Sequence, residues 1–176
     1  MLHSAQQAVW VERDRRWAQR VYRASQYRAL LAVLRVVSWL GDGIIWYVLI
    51  GAIGLAGGTE GRDVAAQMLL VGAANLTIYL WLKARIGRPR PFVKCPDIRA
   101  CGRALDRFSF PSGHALHATG FAIILGFYYP LSLIALVPLG VLIALSRIAL
   151  GLHYPSDVAA GIAIGATTAS LLLALY

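Results

Sequence analysis

Residues 112–145 read SGHALHATGFAIILGFYYPLSLIALVPLGVLIAL and contain no Lys, Arg, Asp or Glu. The hydrocarbon core of a bilayer is about 30 Å thick, and a helix needs roughly 20 apolar residues to cross it. The stretch is therefore long enough for two crossings joined near Pro130. It predicts a pair of membrane-spanning helices.

The rest of the chain has a similar character. It is 59% hydrophobic and only 14% charged over 176 residues, with a mean hydropathy of +0.63, well to the apolar side of soluble domains. We therefore predict an all-α fold, a polytopic transmembrane helical bundle with about five spans, and a membrane-embedded core over residues 44–176. The predicted spans are Ile44 to Thr59, Val64 to Leu82, Ser112 to Tyr129, Leu131 to Leu145 (extendable toward Leu152) and Val158 to Leu175.

Residues 1–43 form a separate basic segment in this prediction. Trp10, Trp17 and Val21 recur at helical spacing among charged residues, which is typical of an amphipathic helix lying in the membrane interface. A solvated helix that packs on its own protein fits the same pattern. Residues 29–40 are apolar but too short to cross, and the Gly-Asp-Gly sequence at 41–43 breaks them. They predict a re-entrant or interfacial elbow.

The net charge of +9 is concentrated in residues 13–35 and 83–107. A basic chain first suggests nucleic acid as a partner, but no nucleic-acid motif is present and the basic runs flank predicted spans. Anionic membrane lipids are the better partner. Cys95 and Cys101 are either free thiols or one small disulfide. The sequence leaves the oligomeric state open.

Three polar segments fall on one membrane face when the spans are threaded up and down. The first, KARIGRPRP at 83–91, is typical of a stop-transfer cluster, although its prolines fix the backbone more than anchoring requires. The second, FPSGHA at 110–115, has the pattern of a helix start, with Ser112 as a cap and free backbone N–H groups suited to phosphate. His114 is costly to bury in a membrane and is therefore a functional candidate.

The third segment, SRIALGLHYPSD, covers residues 146–157. His153 and Asp157 are four positions apart, so the carboxylate can hold one imidazole nitrogen and leave the other as a nucleophile. Alternatively, Asp157 caps the following helix, and both roles are compatible. The three segments supply cations, a helix start and two histidines without a cluster of acidic metal ligands. This set predicts phosphoryl transfer by electrostatic stabilisation on a lipid-linked phosphate.

The spacing of these residues resembles the three-part signature of the type 2 phosphatidic acid phosphatase superfamily. The signature runs Lys83, six residues, Arg90-Pro91; Pro111-Ser112-Gly113-His114; Ser146-Arg147, five residues, His153, three residues, Asp157. The resemblance implies that His153 is the phosphorylated nucleophile, Asp157 its orienting partner and His114 the general acid. It also implies a set of phosphate ligands: Lys83, Arg90, Ser112, Gly113 and Arg147. No metal ion or cofactor is expected.

The expected function is that of an integral-membrane phosphatase acting on a polyprenyl or glycerolipid phosphate or pyrophosphate. Alternatives are a lipid phosphotransferase that uses the same phosphohistidine, and a catalytically silent membrane scaffold. Many membrane members of the family that it resembles have six spans, and we expect this chain to lack the first. We expect a multi-pass protein of the cell membrane with its site on the cytoplasmic face, because Lys and Arg gather there. A disulfide between the two cysteines would favour the opposite, oxidising side.

Overall fold

The computed structural model describes the backbone of residues 2–176 and the side chains of residues 9–176. Helices make up 79% of the chain, and no strand occurs within residues 2–176, so the predicted all-α class is confirmed. The helices are α1 (Leu2–Ala24), α2 (Arg28–Leu40), α3 (Ile44–Ala56), α4 (Gly58–Ile86), α5 (Pro91–Lys94), α6 (Gly113–Tyr128), α7 (Leu133–Ala149) and α8 (Pro155–Leu175). A 3₁₀ turn, Pro130–Ser132, precedes α7.

The predicted transmembrane bundle is confirmed, but the count of five spans is not. Within residues 2–176, three segments are long and apolar enough to cross a bilayer, namely Gly58–Ile86, Pro130–Ala149 and Pro155–Leu175. A fourth is possible if α2 and α3, which meet at a 47° bend, count as one broken span. Helix α6 has 16 residues, or about 24 Å at 1.5 Å per residue, and is shorter than a full crossing.

Helix α6 lies at the centre of the bundle, against α4, α7 and α8. Its closest partner is α8, where a Cβ atom on Gly165 would lie 2.2 Å from the carbonyl oxygen of Leu116. A Cβ on Gly161 would lie 2.5 Å from the carbonyl oxygen of Ser112. This small-residue spacing allows two membrane helices to approach backbone to backbone. It joins the first turn of α6 to the beginning of α8.

The two N-terminal helices pack on the same bundle. In α1, Ala18 and Tyr22 contact the loop around Cys95, whereas Trp10 and Trp17 are largely exposed. One face of α1 therefore packs on the protein and the other presents tryptophans outward, and the membrane-interface setting of this helix stays a prediction. In α2, Leu34 packs against the turn that follows α7.

We expect Gly165→Val to lower the stability of the bundle, because the added carbons have no space beside the α6 backbone. Overpacking of this kind costs about 1–3 kcal/mol. Thermal unfolding in detergent would measure the loss. Gly140→Val is the matched control, since a Cβ there meets nothing within 4 Å. Equal melting temperatures for the two variants would contradict the close helix contact.

Candidate active site

The three motifs predicted from sequence meet at one end of the bundle. Pro89 and Phe108 form an antiparallel bridge, and the backbone N–H of Ser109 donates to the carbonyl of Arg88 at 2.8 Å. The N–H of Ser112 donates to the carbonyl of Asp157 at 2.9 Å. These bonds connect the loop after α4, the start of α6 and the start of α8. All eight predicted site residues lie in this region.

Lys83, Arg90 and Arg147 form a cluster of buried cations. Lys83 lies in the last turn of α4, Arg90 immediately before α5, and Arg147 in the last turn of α7. The guanidinium of Arg90 donates to the carbonyl of Leu152 at 2.9 Å and lies 3.3 Å from Nε2 of His153. A buried charge is costly unless it is paired. With more cations than nearby carboxylates, the cluster is suited to bind an anion.

The start of α6 completes this anion-binding surface. Ser112 is the N-cap residue, and its buried Oγ has no hydrogen-bond partner. Nε of Arg147 is also buried without a partner. Gly113 follows, where a Cβ would lie 2.7 Å from the ring of Tyr79. Because unsatisfied buried polar groups cost free energy, these atoms are suited to contact an anion such as a phosphoryl group.

His153 and Asp157 are neighbours, but the structure does not place them in a full hydrogen bond. Nδ1 of His153 lies 3.7 Å from Oδ2 of Asp157. That oxygen instead accepts from the backbone N–H of Tyr154 at 2.8 Å, and Oδ1 accepts from Arg88 at 2.6 Å. Asp157 also forms a capping box with Tyr154 at the start of α8. The capping role considered from the sequence is thus present in the geometry.

Burial shapes the protonation of His153. It lowers the pKa of the imidazole, and the charges of Arg147 and Arg90 lower it further against the opposing effect of Asp157, to about 3. The ring is therefore neutral near pH 7. A neutral imidazole keeps a lone pair on one nitrogen, which a nucleophile requires.

His114 has a carboxylate partner that the sequence analysis missed. Its Nε2 lies 2.7 Å from Oδ1 of Asp42 and 3.2 Å from the carbonyl of Ser38. Asp42 is in the short break between α2 and α3. A lone carboxylate within a Gly-Asp-Gly break between apolar stretches was the only signal in the sequence. The predicted elbow thus brings a partner to the predicted acid.

Asp106 is a second residue that the sequence analysis missed. It accepts hydrogen bonds from Lys83 Nζ at 2.8 Å, Arg90 Nη2 at 3.1 Å and the N–H of Phe108 at 2.9 Å, and one from the Tyr79 hydroxyl. Burial alone would raise the pKa of this carboxyl, but hydrogen bonds from Lys83 and Tyr79 and the charges of Lys83 and Arg90 lower it to about 2. Asp106 is therefore ionised and holds two of the three buried cations.

An apolar cavity of about 370 Å³ opens beside His114, between α3, α4 and α6. Its walls include Trp46, Met68, Leu76 and Phe121, with Asp42, Gly113 and His114 at the polar end. His117, which the sequence analysis left without a role, lies on the same wall and donates from Nδ1 to the carbonyl of Gly113 at 2.9 Å. The site thus combines a cationic pocket with an adjoining apolar space.

Two further features bear on the predictions. Within the described residues, no group of three His, Cys, Asp or Glu side chains is placed to hold a metal ion. Cys95 and Cys101 are both free thiols in the structure.

Comparison with known proteins identifies relatives of this arrangement. A sequence model of the PAP2 superfamily matches residues 64–176. The chain is 35% identical over 147 residues to decaprenylphosphoryl-5-phosphoribose phosphatase of Mycobacterium tuberculosis, covering 81% of this chain and 78% of that protein. It is 36% identical over 116 residues to an undecaprenyl-diphosphatase of Bacillus subtilis, covering 65% of this chain and 60% of that protein.

Two crystal structures share the fold. One is a transmembrane PAP2-type phosphatidylglycerolphosphate phosphatase from Bacillus subtilis, with a TM-score of 0.76 at 24% identity over 95% of this chain and 86% of that one. The other is LpxE from Aquifex aeolicus, with a TM-score of 0.81 at 23% identity over 90% of this chain and 93% of that one.

We expect Asp106→Asn to destabilise the fold near neutral pH by about 2 kcal/mol, because Lys83 and Arg90 lose their shared carboxylate. The folded-state pKa of about 2 lies below the ordinary 3.8. The stabilisation is therefore complete above about pH 4 and disappears as pH falls towards 2. Thermal unfolding in detergent between pH 7 and pH 2 would show a flatter acid dependence in the variant.

Asp97→Asn is the matched control, since Asp97 pairs with Arg23 on the exposed surface. Equal stability of Asp106→Asn and the wild type at pH 7 would show that this carboxylate does not hold the two cations.

Proposed function

The chain belongs to the PAP2 superfamily, and from this membership we propose that it is an integral-membrane phosphatase that cleaves a lipid phosphate or pyrophosphate through a phosphohistidine, without a metal ion. One observation carries the proposal. The buried cations and the start of α6 lie around His153, and His114 lies between that pocket and an apolar cavity. This layout suits a molecule that is phosphate at one end and hydrocarbon at the other.

In the first proposed step, Nε2 of His153 attacks phosphorus. A P–N bond forms while the P–O bond to the lipid breaks, and His114 donates a proton to the departing oxygen. Asp42, 2.7 Å from His114, stabilises the protonated imidazole. Lys83, Arg90 and Arg147 stabilise the charge on the phosphoryl oxygens, which is the main requirement of phosphoryl transfer.

In the second proposed step, water attacks the phosphohistidine. His114, now neutral, accepts a proton from that water, the P–N bond breaks, and inorganic phosphate leaves. Because the same histidine donates and then accepts, the enzyme returns to its starting protonation state. Asp157 assists by facing Nδ1 of His153, although at 3.7 Å the contact must tighten when the phosphoryl group binds.

We propose a polyprenyl-linked phosphate as the first substrate class to test. The printed names of two relatives specify polyprenyl substrates. The cavity beside His114 is lined mainly by apolar and aromatic side chains, which suits the first part of a hydrocarbon chain.

Phosphate release from decaprenyl phosphate, undecaprenyl diphosphate and phosphatidylglycerol phosphate, in detergent with EDTA, would test the proposal. We expect release without any added acceptor. His153→Ala should reduce it by about 10³-fold or more, as loss of a nucleophile does in other covalent enzymes. Asp97→Asn, at an exposed surface ion pair, is the control and should keep full activity.

Each alternative gives a different result in this assay. A requirement for an acceptor would identify a phosphotransferase, and full activity in His153→Ala would exclude the phosphohistidine. Loss of turnover in EDTA would contradict the metal-independent mechanism. Absence of turnover on every lipid phosphate would support the scaffold.

We propose that the site faces the cytoplasm, because the basic loop between α4 and α6 carries most of the charge near it. Ala100 is exposed in this loop. With Cys101 changed to Ser, Ala100→Cys should react with a membrane-impermeant maleimide only after cells are lysed. Glu60→Cys, near the start of α4 and exposed, serves as the opposite-face control. Labelling of Ala100→Cys in intact cells would place the site outside.

A further inference from the structure

Arg88 is a basic residue of the first motif to which the phosphate site gives no role. Its guanidinium lies between two carboxylates from opposite ends of the chain. Nη1 donates to Oδ1 of Asp157 at 2.6 Å, and Nη2 donates to Oδ2 of Asp14 at 2.6 Å. The side chains of Arg88, Asp14 and Asp157 are 21%, 11% and 0% exposed. A helix at the N-terminus is thus connected to the carboxylate beside His153.

Other contacts fix the guanidinium in this position. It lies over the ring of Tyr154, 4.0 Å from the ring centroid, and Nη1 also donates to the hydroxyl of Ser156 at 2.7 Å. An arginine whose plane is stacked and whose donors are paired loses its rotational freedom. Arg88 therefore has one defined geometry toward Asp157.

Asp14 also binds the first turn of α8 directly. Its Oδ1 accepts from the backbone N–H of Ser156 at 3.0 Å, and its other oxygen accepts from the hydroxyl of the same residue. A carboxylate is favourable at a helix N-terminus. Because Asp157 directly follows Ser156, these hydrogen bonds from Ser156 to Asp14 also fix the backbone position of Asp157.

We propose that Arg88 and Asp14 are positioning residues for the His153–Asp157 pair, so that helix α1 is a working part of the active site. The inference rests on the proposed phosphohistidine mechanism. Arg88 orients the Asp157 carboxylate and withdraws negative charge from it, and Asp14 limits that withdrawal by neutralising part of the guanidinium charge. Together they set how strongly Asp157 acts on His153.

The titratable groups that face this pair come from several elements, and they include Lys83, whose charge acts on Asp157, and Cys95, which contacts Tyr154. Arg90 lies 3.3 Å from Nε2 of His153, and the charges of Arg147 and Arg90 both act to lower the pKa of His153. Arg88 contacts Oδ1 of Asp157, whereas His153 faces Oδ2, and Arg88 also contacts Asp14 and the ring of Tyr154. Loss of Arg88 removes a positive charge near Asp157, so His153 experiences a more negative environment. Loss of the Asp14 charge has the opposite effect. The two changes therefore have opposite electrostatic signs.

The test uses Asp14→Asn, Arg88→Gln and Arg88→Lys in the full-length chain. For each, kcat and KM are measured on the best substrate of the lipid panel from pH 4 to pH 9, with thermal unfolding in the same detergent. The acid limb of kcat reports protonation in the substrate complex, where we expect the negative charge of the bound phosphate to raise the pKa of His153. Glu12→Gln is the matched control on α1, since Glu12 pairs with Arg16 in an exposed i,i+4 contact.

We expect kcat to fall about 10-fold or more in Asp14→Asn and Arg88→Gln, with KM changed less than about 3-fold. The midpoint of the acid limb of the kcat profile should shift to higher pH by roughly one unit in Arg88→Gln. In Asp14→Asn it should shift to lower pH. Arg88→Lys keeps the positive charge but loses the forked geometry of the guanidinium. It should therefore lower kcat, while the acid limb shifts less than it does in Arg88→Gln. Glu12→Gln should match the wild type.

Unchanged kcat in both variants would overturn the inference, as would limbs that move in the same direction. A lower melting temperature with an unmoved limb in both would assign the residues a structural role only, and Arg88→Lys keeps the question answerable if one variant does not fold. These failures differ from failure of the proposed function, in which His153→Ala and the wild type would release phosphate equally.

Discussion

The fold depends on pairing three cations that are buried at one end of a membrane protein. Lys83, Arg90 and Arg147 come from three different elements and have little access to solvent. Asp106 pairs with the first two, Leu152 offers a carbonyl to the second, and Ser38 and Arg103 provide oxygens for the third. A surplus of positive charge remains. The ends of α4 and α7 and the loop before α6 are therefore joined around a place suited to an anion.

Much of this site was predictable because its chemistry is local in sequence. His153 and Asp157 are four residues apart, and the proline, serine, glycine and histidine at 111–114 are contiguous, so the motifs identify them before any fold is known. The sequence also predicted that these motifs meet at one membrane face, because successive spans cross the membrane in opposite directions. The partners of these residues were not predictable in the same way. Asp42 and His114 are 72 residues apart, and only tertiary packing brings them together.

The span count illustrates a different limit. Hydropathy located all the apolar helices, but it does not show that α6 has only 16 residues or that α2 and α3 bend by 47° at Gly41–Gly43. Both features depend on packing. Helix α6 is surrounded by α4, α7 and α8, so its length is set by protein neighbours as much as by lipid. A segment enclosed in this way need not match the thickness of a bilayer.

The location of Asp42 and Ser38 has a consequence for how such enzymes diverge. The family model begins at residue 64, so the stretch that defines membership holds His153 and His114, the proposed nucleophile and acid, but not Asp42, the carboxylate that contacts His114. Two chains can match equally well over that stretch and still differ in the group that tunes proton donation. The proposed phosphate ligands and His114 lie within this stretch, whereas Asp42 lies outside it, so a comparison confined to the motifs does not include the carboxylate partner of His114.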